Sequence, residues 1–455
     1  MKASSNRRNP VKLTGPTKIV KTLLVLPAAL LLAAGVLAMP PNAEAAAATI
    51  LSLQDCIDIA VLNHPSIAGA ESAIATQEGR VDQSVVGDRL TVSGSASTSR
   101  AGTRDGDNAS YSVGATTSVK LFDANRSKYS VGAAVRTLEA TKEDARQTLQ
   151  DVRSNVKTAY MNLLMNMETA DQRRQSAEAF ERHLEQARGF YEAGSNPWYD
   201  VTKAEVDLGN AQLSLVEARS NVETAMAALH NAMGVSQEEA FEVEPARLFI
   251  ADRVEAEAEG LALKHRADYR SAEFKTLAGQ STISAEARTS SPTITLEGGY
   301  SGSGDDLFDL GRGWNIGVRM SVPIVDGGES KARLDIAKGQ LGSLEAAREK
   351  LRQDILLDVK KAKTDLTNAR ERIRISELTL ANAEENRRLA VGRYETGVGD
   401  PLEVTDALVS LTEAQLSKFQ AHYDLQIAII GMEQAIGMDM TELSPADGEN
   451  DSEKK

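Results

Sequence analysis

Two very long stretches of the chain carry apolar residues at alternating spacings of three and four positions. One runs from about Arg126 to Glu192 without a proline, and the other occupies the matching part of the second half of the chain. This spacing places apolar side chains on one face of a helix and is typical of coiled coils. A helix of roughly seventy residues would be about 100 Å long, which is longer than a globular domain can hold. The apolar positions are Leu149, Val152, Val156, Ala159, Leu163, Ala170, Ala177, Phe180, Leu184, Ala187 and Tyr191, and then Ile355, Val359, Ala362, Leu366, Ala369, Ile373, Leu380, Ala383, Ala390 and Tyr394.

Two shorter stretches alternate apolar and polar residues instead. They are Tyr111–Leu121 and Trp314–Ile324, and each is preceded by a second short strand-like run. A period of two predicts β-strands with one apolar face. The sequence therefore predicts two strand pairs, over residues 91–122 and 293–324, in a chain that is otherwise helical.

These strands fit a membrane better than a soluble core, although alternation by itself leaves both possibilities open. We expect each strand to have the roughly 9–11 residues that cross a membrane at a tilt, with Tyr111, Tyr300 and Trp314 at strand ends as interface anchors. The Gly-, Ser- and Asp-rich segments Ser99–Ser110 and Gly302–Gly313 are predicted to be solvent-facing loops. Four strands cannot close a barrel and an open edge is not tolerated in lipid, so several chains would have to share one barrel.

The whole pattern occurs twice. Repeat 1 covers residues 46–234 and repeat 2 covers 253–437; each contains two helical segments, a strand pair, a very long helix, a turn and a returning helix. Residues 235–252 are predicted to link the repeats, and residues 438–455 to form a disordered tail. The turns carry the same motif: YEAGSNPWYDV at 191–201 and YETGVGDPLEV at 394–404, an offset of 203 (394 − 191).

The beginning of the chain is typical of an export signal. Six basic residues precede the apolar run Leu23–Ala38, and Ala43-Glu44-Ala45 offers a cleavage site, so residues 1–45 are predicted to be a signal peptide. An uncleaved anchor is the alternative, but the run is short and contains Pro27. Cleavage removes six positive charges and one negative charge, which changes the net charge from −14 to −19 (−14 − 5). So acidic a chain is a poor candidate for binding nucleic acid.

The reactive side chains do not indicate an enzyme. Cys56 is the only cysteine, and the polar residues before it favour a buried thiol over a lipid-attachment site. The five histidines lack metal-ligand spacing, and no nucleophile motif or phosphate-binding loop is present. We therefore predict no catalytic residue, no metal and no cofactor.

The order of these elements, together with the duplicated turn motif YxxGxxxxx(D/E)V, resembles the TolC-like outer membrane efflux protein family (outer membrane factors). The resemblance implies a mainly α fold with membrane β-strands, built from a two-fold internal repeat. It implies a homotrimer in which twelve strands, four per chain, form an outer-membrane barrel that continues as a helical coiled-coil tunnel in the periplasm. Such proteins are exit ducts for efflux pumps and type I secretion systems. They work with a periplasmic adaptor and an inner-membrane transporter of the RND or ABC type.

The resemblance also places the turns at the periplasmic aperture. Asp200 and Glu403 match an acidic position after the tip glycine, and Asp406 matches a second one a helical turn later. The first copy has Lys203 opposite Asp406, so the second turn is expected to line the aperture with carboxylates that attract cations. The alternative is that Asp200 and Glu403 only stabilise the start of the returning helices through the helix dipole.

The same turns are the expected docking sites for the adaptor. Gly194 and Gly397 either serve backbone conformation alone or also allow an adaptor helix to approach closely. Some family members have a basic residue two positions after the tip glycine that holds neighbouring hairpins shut, and here that position is Gly399. Two roles are open for Tyr394: it forms a hydrogen bond that helps to close the aperture, or it is a core residue of the heptad.

One other function is compatible with the helical pattern. An exported coiled-coil scaffold or adaptor without a membrane span would explain the heptads and the signal. It would not explain two alternating strand pairs at matching places in the two repeats. Outer-membrane localisation, with Tyr111, Tyr300 and Trp314 in contact with lipid, is therefore the favoured expectation.

Overall fold

The computed structural model describes residues 49–103, 106–195, 197–238, 241–248 and 252–439. The predicted signal peptide and almost all of the predicted tail lie outside these residues. In chain order the elements are β1 (Thr49–Leu51), α1 (Leu53–Asn63), α2 (Pro65–Val86), β2 (Thr91–Thr103), β3 (Gly106–Phe122), α3 (Arg126–Glu192), α4 (Trp198–Met233), β4 (Phe241–Val243), α5 (Asp252–His265), α6 (Ala267–Glu286), β5 (Thr293–Asp306), β6 (Asp309–Ser321), α7 (Glu329–Glu395) and α8 (Pro401–Ile436).

The two predicted long helices are confirmed. α3 and α7 have 67 residues each, and α4 and α8 have 36 residues each. α7 begins and ends 203 positions after α3 (329 − 126 and 395 − 192), so the internal repeat is a repeat of structure as well as of sequence. At 1.5 Å per residue each long helix extends about 100 Å. Of the described helices, none is both long enough and apolar enough to pass through a membrane.

The helices pack as two antiparallel hairpins. Hairpin 1 consists of α3 and α4, hairpin 2 consists of α7 and α8, and α3 also contacts α8. Most of their heptad positions are buried, as the spacing predicts, but Tyr191 is 43% accessible. The buried positions include Val152, Val156, Leu163, Ala177, Phe180, Leu184 and Ala187 in α3 and Ile355, Val359, Leu366, Ala369 and Ala390 in α7.

The returning helices both end at a glycine. Gly234 and Gly437 have φ of +69° and +75°, a left-handed conformation that favours glycine at a helix end. A Cβ on Gly234 would lie 2.9 Å from Cα of His64, and one on Gly437 would lie 2.8 Å from Cα of Arg266. His64 and Arg266 are the N-caps of α2 and α6, so each returning helix ends in close contact with the same part of its own repeat.

A four-stranded antiparallel sheet has the order β2-β3-β5-β6, which confirms the two predicted strand pairs. The predicted loops are wrong. Ser99 pairs with Ser110, and the pairing continues to Thr103 and Gly106, so β2 and β3 have 13 and 17 residues instead of the expected 9–11. Small residues do not prevent backbone pairing when proline is absent, because the ladder is made by main-chain groups.

The other hairpin of the sheet differs from the prediction in the same way. β5 and β6 pair to Asp306 and Asp309, within the expected loop. β6 ends at Ser321 and not at Ile324, because Pro323 has no N–H to donate. Two left-handed glycines, Gly327 and Gly328, then lead into α7.

The register gives this sheet two chemically different faces. One is mostly hydroxyl and glycine, with side-chain hydrogen bonds of 2.8 Å between Ser93 and Thr116 and between Ser97 and Ser112. The other is mostly apolar and exposed in the single chain, and Trp314 is 76% accessible. Members of the apolar face that pair across strands are Val113 and Gly302, Ala115 and Tyr300, Tyr300 and Trp314, Leu296 and Val318, and Ile294 and Met320.

A second, small sheet was not predicted. β1 pairs in parallel with β4, which lies inside the segment predicted to be a linker. Strands of three residues are too short to show a period. The Tyr160 hydroxyl reinforces this pairing, since it lies 2.6 Å from the carbonyl oxygen of Glu244 and 3.2 Å from that of Leu51. Beside it Cys56 is fully buried, as predicted, and burial followed by the charge of Asp55 raises its pKa to about 12.

Candidate functional site

The two turns that join the long helices to the returning helices are built in the same way. We call residues 191–201 tip 1 and residues 394–404 tip 2. Gly194 and Gly397 both have φ of +74°. In tip 2 the N–H of Gly397 donates to Tyr394 O and that of Val398 donates to Arg393 O, both at 3.0 Å; tip 1 has the equivalent pair of bonds. This is the Schellman arrangement, in which a left-handed residue satisfies the last carbonyls of a helix, so both tip glycines are required by the backbone.

Gly399 is also required, but for a steric reason. Its N–H donates to the carbonyl oxygen of Arg393 at 2.9 Å. A Cβ at this position would lie 2.9 Å from the carbonyl carbon of Arg393 and from the backbone nitrogen of Tyr394. No side chain fits there unless the turn rearranges. A closing contact made by a basic residue at this position is therefore incompatible with the observed turn.

Glu403 lies in the first turn of α8, and a cation compensates its charge. Nε of Arg393 is 3.1 Å from its carboxylate, across the turn of tip 2. The N-cap is Asp400, whose side chain accepts a hydrogen bond of 2.9 Å from the N–H of Leu402. Both acids are thus placed where a helix N-terminus favours negative charge.

Asp406 differs from Glu403. It is exposed, and no ion pair or hydrogen bond to its side chain is found in the part of the chain that the structure describes. Its counterpart in hairpin 1, Lys203, lies 2.5 Å from Asp207 and neutralises that carboxylate. The two hairpins therefore differ in charge one turn above their tips, as the sequence indicates.

Tyr394 is a core residue of the tips. It is 4% accessible, and its ring packs edge-on against Phe190 of α3 at 5.2 Å between centroids. Burial, and to a smaller extent the charge of Asp200, raises the pKa of its hydroxyl. Residues from both hairpins share this core; its buried members are Ala177, Phe180, Ala211, Ala390, Tyr394, Val404, Ala407 and Leu408.

A polar seam between the hairpins was missed at the sequence level. It consists of Ser176 and His183 on α3 with Thr405 and Thr412 on α8. The hydroxyls of Ser176 and Thr412 are 3.1 Å apart, and Nε2 of His183 is 3.5 Å from the hydroxyl of Thr405. Each pair of residues on one helix is seven positions apart. A second heptad of polar residues, offset from the apolar one, is the signal that would have identified this seam.

The proposed interface aromatics are in the sheet, but two of the three are neighbours and none is at a strand end. Tyr300 pairs with Trp314 across β5 and β6. Tyr111 lies opposite Gly304, and in β3 it comes four residues before Ala115, the other partner of Tyr300. Their predicted position at the ends is wrong because the strands extend through the expected loops. Among the described residues, no group of acids, histidines or cysteines is arranged to hold a metal ion.

Comparison with known proteins gives a consistent result. A family model described as "Outer membrane efflux protein" matches residues 56–235 and 260–438. The chain is 26% identical over 419 residues to the outer membrane efflux protein BepC of Brucella suis biovar 1, covering 90% of each protein. It is 23% identical over 318 residues to the outer membrane protein TolC of Vibrio cholerae, covering 66% of this chain and 72% of TolC. The solved structure of VceC from Vibrio cholerae is similar in fold, with a TM-score of 0.76 at 19% identity over 85% of this chain and 96% of VceC.

Proposed function

Since the chain belongs to the outer membrane efflux protein family and is an outer-membrane protein with a large periplasmic helical part, we propose that it is the exit duct of a tripartite efflux pump. In this proposal three copies form the duct, a periplasmic adaptor docks on the helical tips, and an inner-membrane transporter of the RND or ABC type supplies the cargo. A type I secretion system would use the same duct with another transporter.

The four-stranded sheet supports the proposal that several chains form one barrel. Its apolar face suits lipid, while its hydroxyl-rich face suits a water-filled lumen. Within one chain β2 and β6 are edge strands, each with a neighbour on one side only. Unpaired backbone groups are not tolerated in the hydrocarbon region, so β6 of one copy must pair with β2 of the next. Three copies would supply twelve strands.

Exposed apolar residues of the two tips support the proposal of an adaptor-binding site. Val398, at the end of tip 2, is 74% accessible, and Leu402 in the same tip is also exposed. In tip 1 the exposed apolar side chains are Trp198 and Tyr199. These apolar groups are exposed at the far ends of the long helical hairpins, although the ring of Trp198 packs against that of Tyr191. Such an exposed apolar group is typical of a surface that binds another protein.

The proposed aperture lies next to these surfaces. Asp406 is its main acidic residue, with Glu403 and Asp200 in supporting positions in the first turns of α8 and α4. Three-fold repetition would place three copies of Asp406 around one axis. A ring of carboxylates in a narrow pore attracts cations and repels anions.

Fractionation tests the membrane part of this proposal. We expect a heat-modifiable oligomer in purified outer membranes that resists a salt wash. Release by salt would favour the alternative of an exported scaffold without a membrane span. For the adaptor, Val398→Cys should crosslink a protein whose captured segment is helical. Cys56 is buried and serves as the internal control, because it should not react in the unmodified chain.

A further inference from the structure

One buried histidine lies where hairpin 1 meets hairpin 2. His183 of α3 is 6% accessible. Its Nε2 is 3.5 Å from the hydroxyl of Thr405 on α8, and its ring centroid is 6.0 Å from that of Tyr394 on α7. Nδ1 is buried and has no hydrogen-bond partner within the described residues. His183 therefore touches both helices of hairpin 2, and one of its two nitrogens is unsatisfied.

The charges around this ring come mainly from α4. Asp207, Asp200 and Lys203 act on it from that helix, whereas α7 contributes the ring of Tyr394 and α8 the hydroxyl of Thr405. Asp207 is already paired with Lys203 at 2.5 Å. Burial lowers the pKa of His183; Asp207 and Asp200 oppose this effect, and Lys203 adds to it. The imidazole is thus neutral when the hairpins are packed together at neutral pH.

We propose that His183 is a proton-operated latch, in which protonation of its ring separates hairpin 1 from hairpin 2 and opens the helical tips. The proposal rests on the proposed function as a duct and adds a means of regulating its aperture. An imidazolium has a donor on both nitrogens, and the donor at Nδ1 would be buried without an acceptor. A buried, unpaired charged donor is strongly unfavourable, and separation of the hairpins exposes it to water.

The seam around the latch is suited to separation. Ser176 and Thr412, one heptad away from His183 and Thr405, meet through a hydroxyl contact of 3.1 Å. Water can replace such hydrogen bonds with little net change in free energy. Tyr394 belongs to the apolar core that the two hairpins share and packs against Phe190, and the histidine ring adjoins Tyr394. A charge on His183 would therefore act directly beside the core that the two hairpins share.

The sign of the pH dependence follows from the lowered pKa. The pKa of His183 is lower in the closed arrangement, whereas an exposed histidine in the open arrangement would have its usual pKa of about 6.5. The closed arrangement is therefore fully favoured above about pH 6.5 and loses this advantage as the pH falls toward the pKa of the buried ring. Each unit by which the pKa of His183 differs between the open and closed arrangements changes the closed–open equilibrium of one protomer by about tenfold.

Conductance in planar bilayers tests the latch in the full chain. Between about pH 7.5 and about pH 5, we expect the open probability of the unmodified channel to rise by about tenfold or more. His183→Gln should remove this response. His265→Gln is the matched control, because the pKa of His265 is also lowered by burial but this residue ends α5, far along the chain from either tip. An equal rise in His183→Gln and in the unmodified channel would overturn the latch.

A crosslink across the seam gives a second test. Ser176→Cys with Thr412→Cys should form a disulfide, because the two native hydroxyls are in contact. The oxidised channel should not respond to acid, and a reductant should restore the response. Opening of the oxidised channel at low pH would contradict the latch. A chain that never conducts at any pH would instead overturn the proposed duct, whereas pH-independent conductance overturns the latch alone.

Discussion

Nε of Arg393 lies 3.1 Å from the carboxylate of Glu403 and ties the end of α7 to the beginning of α8 at tip 2. Both side chains are exposed, so the pair adds little stability. Its consequence is electrostatic, since in the proposed aperture Glu403 would contribute less net negative charge than Asp406. The sequence identifies both acids, but it does not reveal that one is compensated.

We predict that Asp406→Asn lowers cation selectivity more than Glu403→Gln does. Three carboxylates about 10 Å from a pore axis, after screening by salt, change the ratio of cation to anion permeability by about twofold. Reversal potentials in a salt gradient measure this ratio. Glu413→Gln, an exposed acid further along α8, is the control. Equal effects of Glu403→Gln and Asp406→Asn would show that Arg393 does not compensate Glu403 in the channel.

We predict that Gly399→Ala destabilises tip 2, because the added methyl group overlaps the backbone of Arg393 and Tyr394. Overpacking of this kind costs about 1–3 kcal/mol. The matched control is Gly392→Ala, in the last turns of α7, where a Cβ meets nothing within 4 Å. It should stabilise the helix by about 0.5–1 kcal/mol. Thermal denaturation of the purified protein compares the two, and a melting temperature that falls in Gly392→Ala but not in Gly399→Ala would contradict the packing argument.

The helices were predictable because their burial follows a single period over many turns. Val156, Leu163 and Phe180 obey one heptad and are buried, and the tip glycines follow from the helix-end geometry. His183 was missed because its polar heptad has only two members on α3, Ser176 and His183, and two residues give a much weaker period than the apolar positions do. The sequence pattern also failed to predict the lengths of the strands. Segments such as Ser99–Ser110 pair through their backbones, and backbone pairing leaves no trace in side-chain alternation.

We predict that Ile316→Arg prevents assembly in the outer membrane, whereas Asn315→Arg is tolerated. The two residues are neighbours on β6 but lie on opposite faces, and Ile316 is exposed on the apolar face. An arginine facing lipid near the middle of the membrane is unfavourable by about 2–4 kcal/mol, whereas one facing a lumen is solvated. The yield of heat-modifiable oligomer in outer membranes measures assembly. Similar yields for both variants would mean that the apolar face does not contact lipid.

We predict that Lys157→Met is the most destabilising of these substitutions. Lys157 is 2% accessible, and its ammonium lies 2.8 Å from the carboxylates of both Glu433 and Asp439. It therefore fastens the end of α8 and the residues after it to α3. Its removal leaves the buried Glu433 without this cation, and breaking a buried pair in this way costs about 3–5 kcal/mol.

The internal repeat supplies the control for this last prediction. Lys360 occupies the place of Lys157 in α7, at the offset of 203 (360 − 157), and it is exposed. Lys360→Met should change the free energy of unfolding by no more than about 0.5 kcal/mol. Replacing Glu433 by Gln in the Lys157→Met background should recover part of the loss, because the carboxylate that Lys157 contacted is then neutral. If Lys157→Met and Lys360→Met unfold at the same denaturant concentration, the buried charges do not hold α8 on α3.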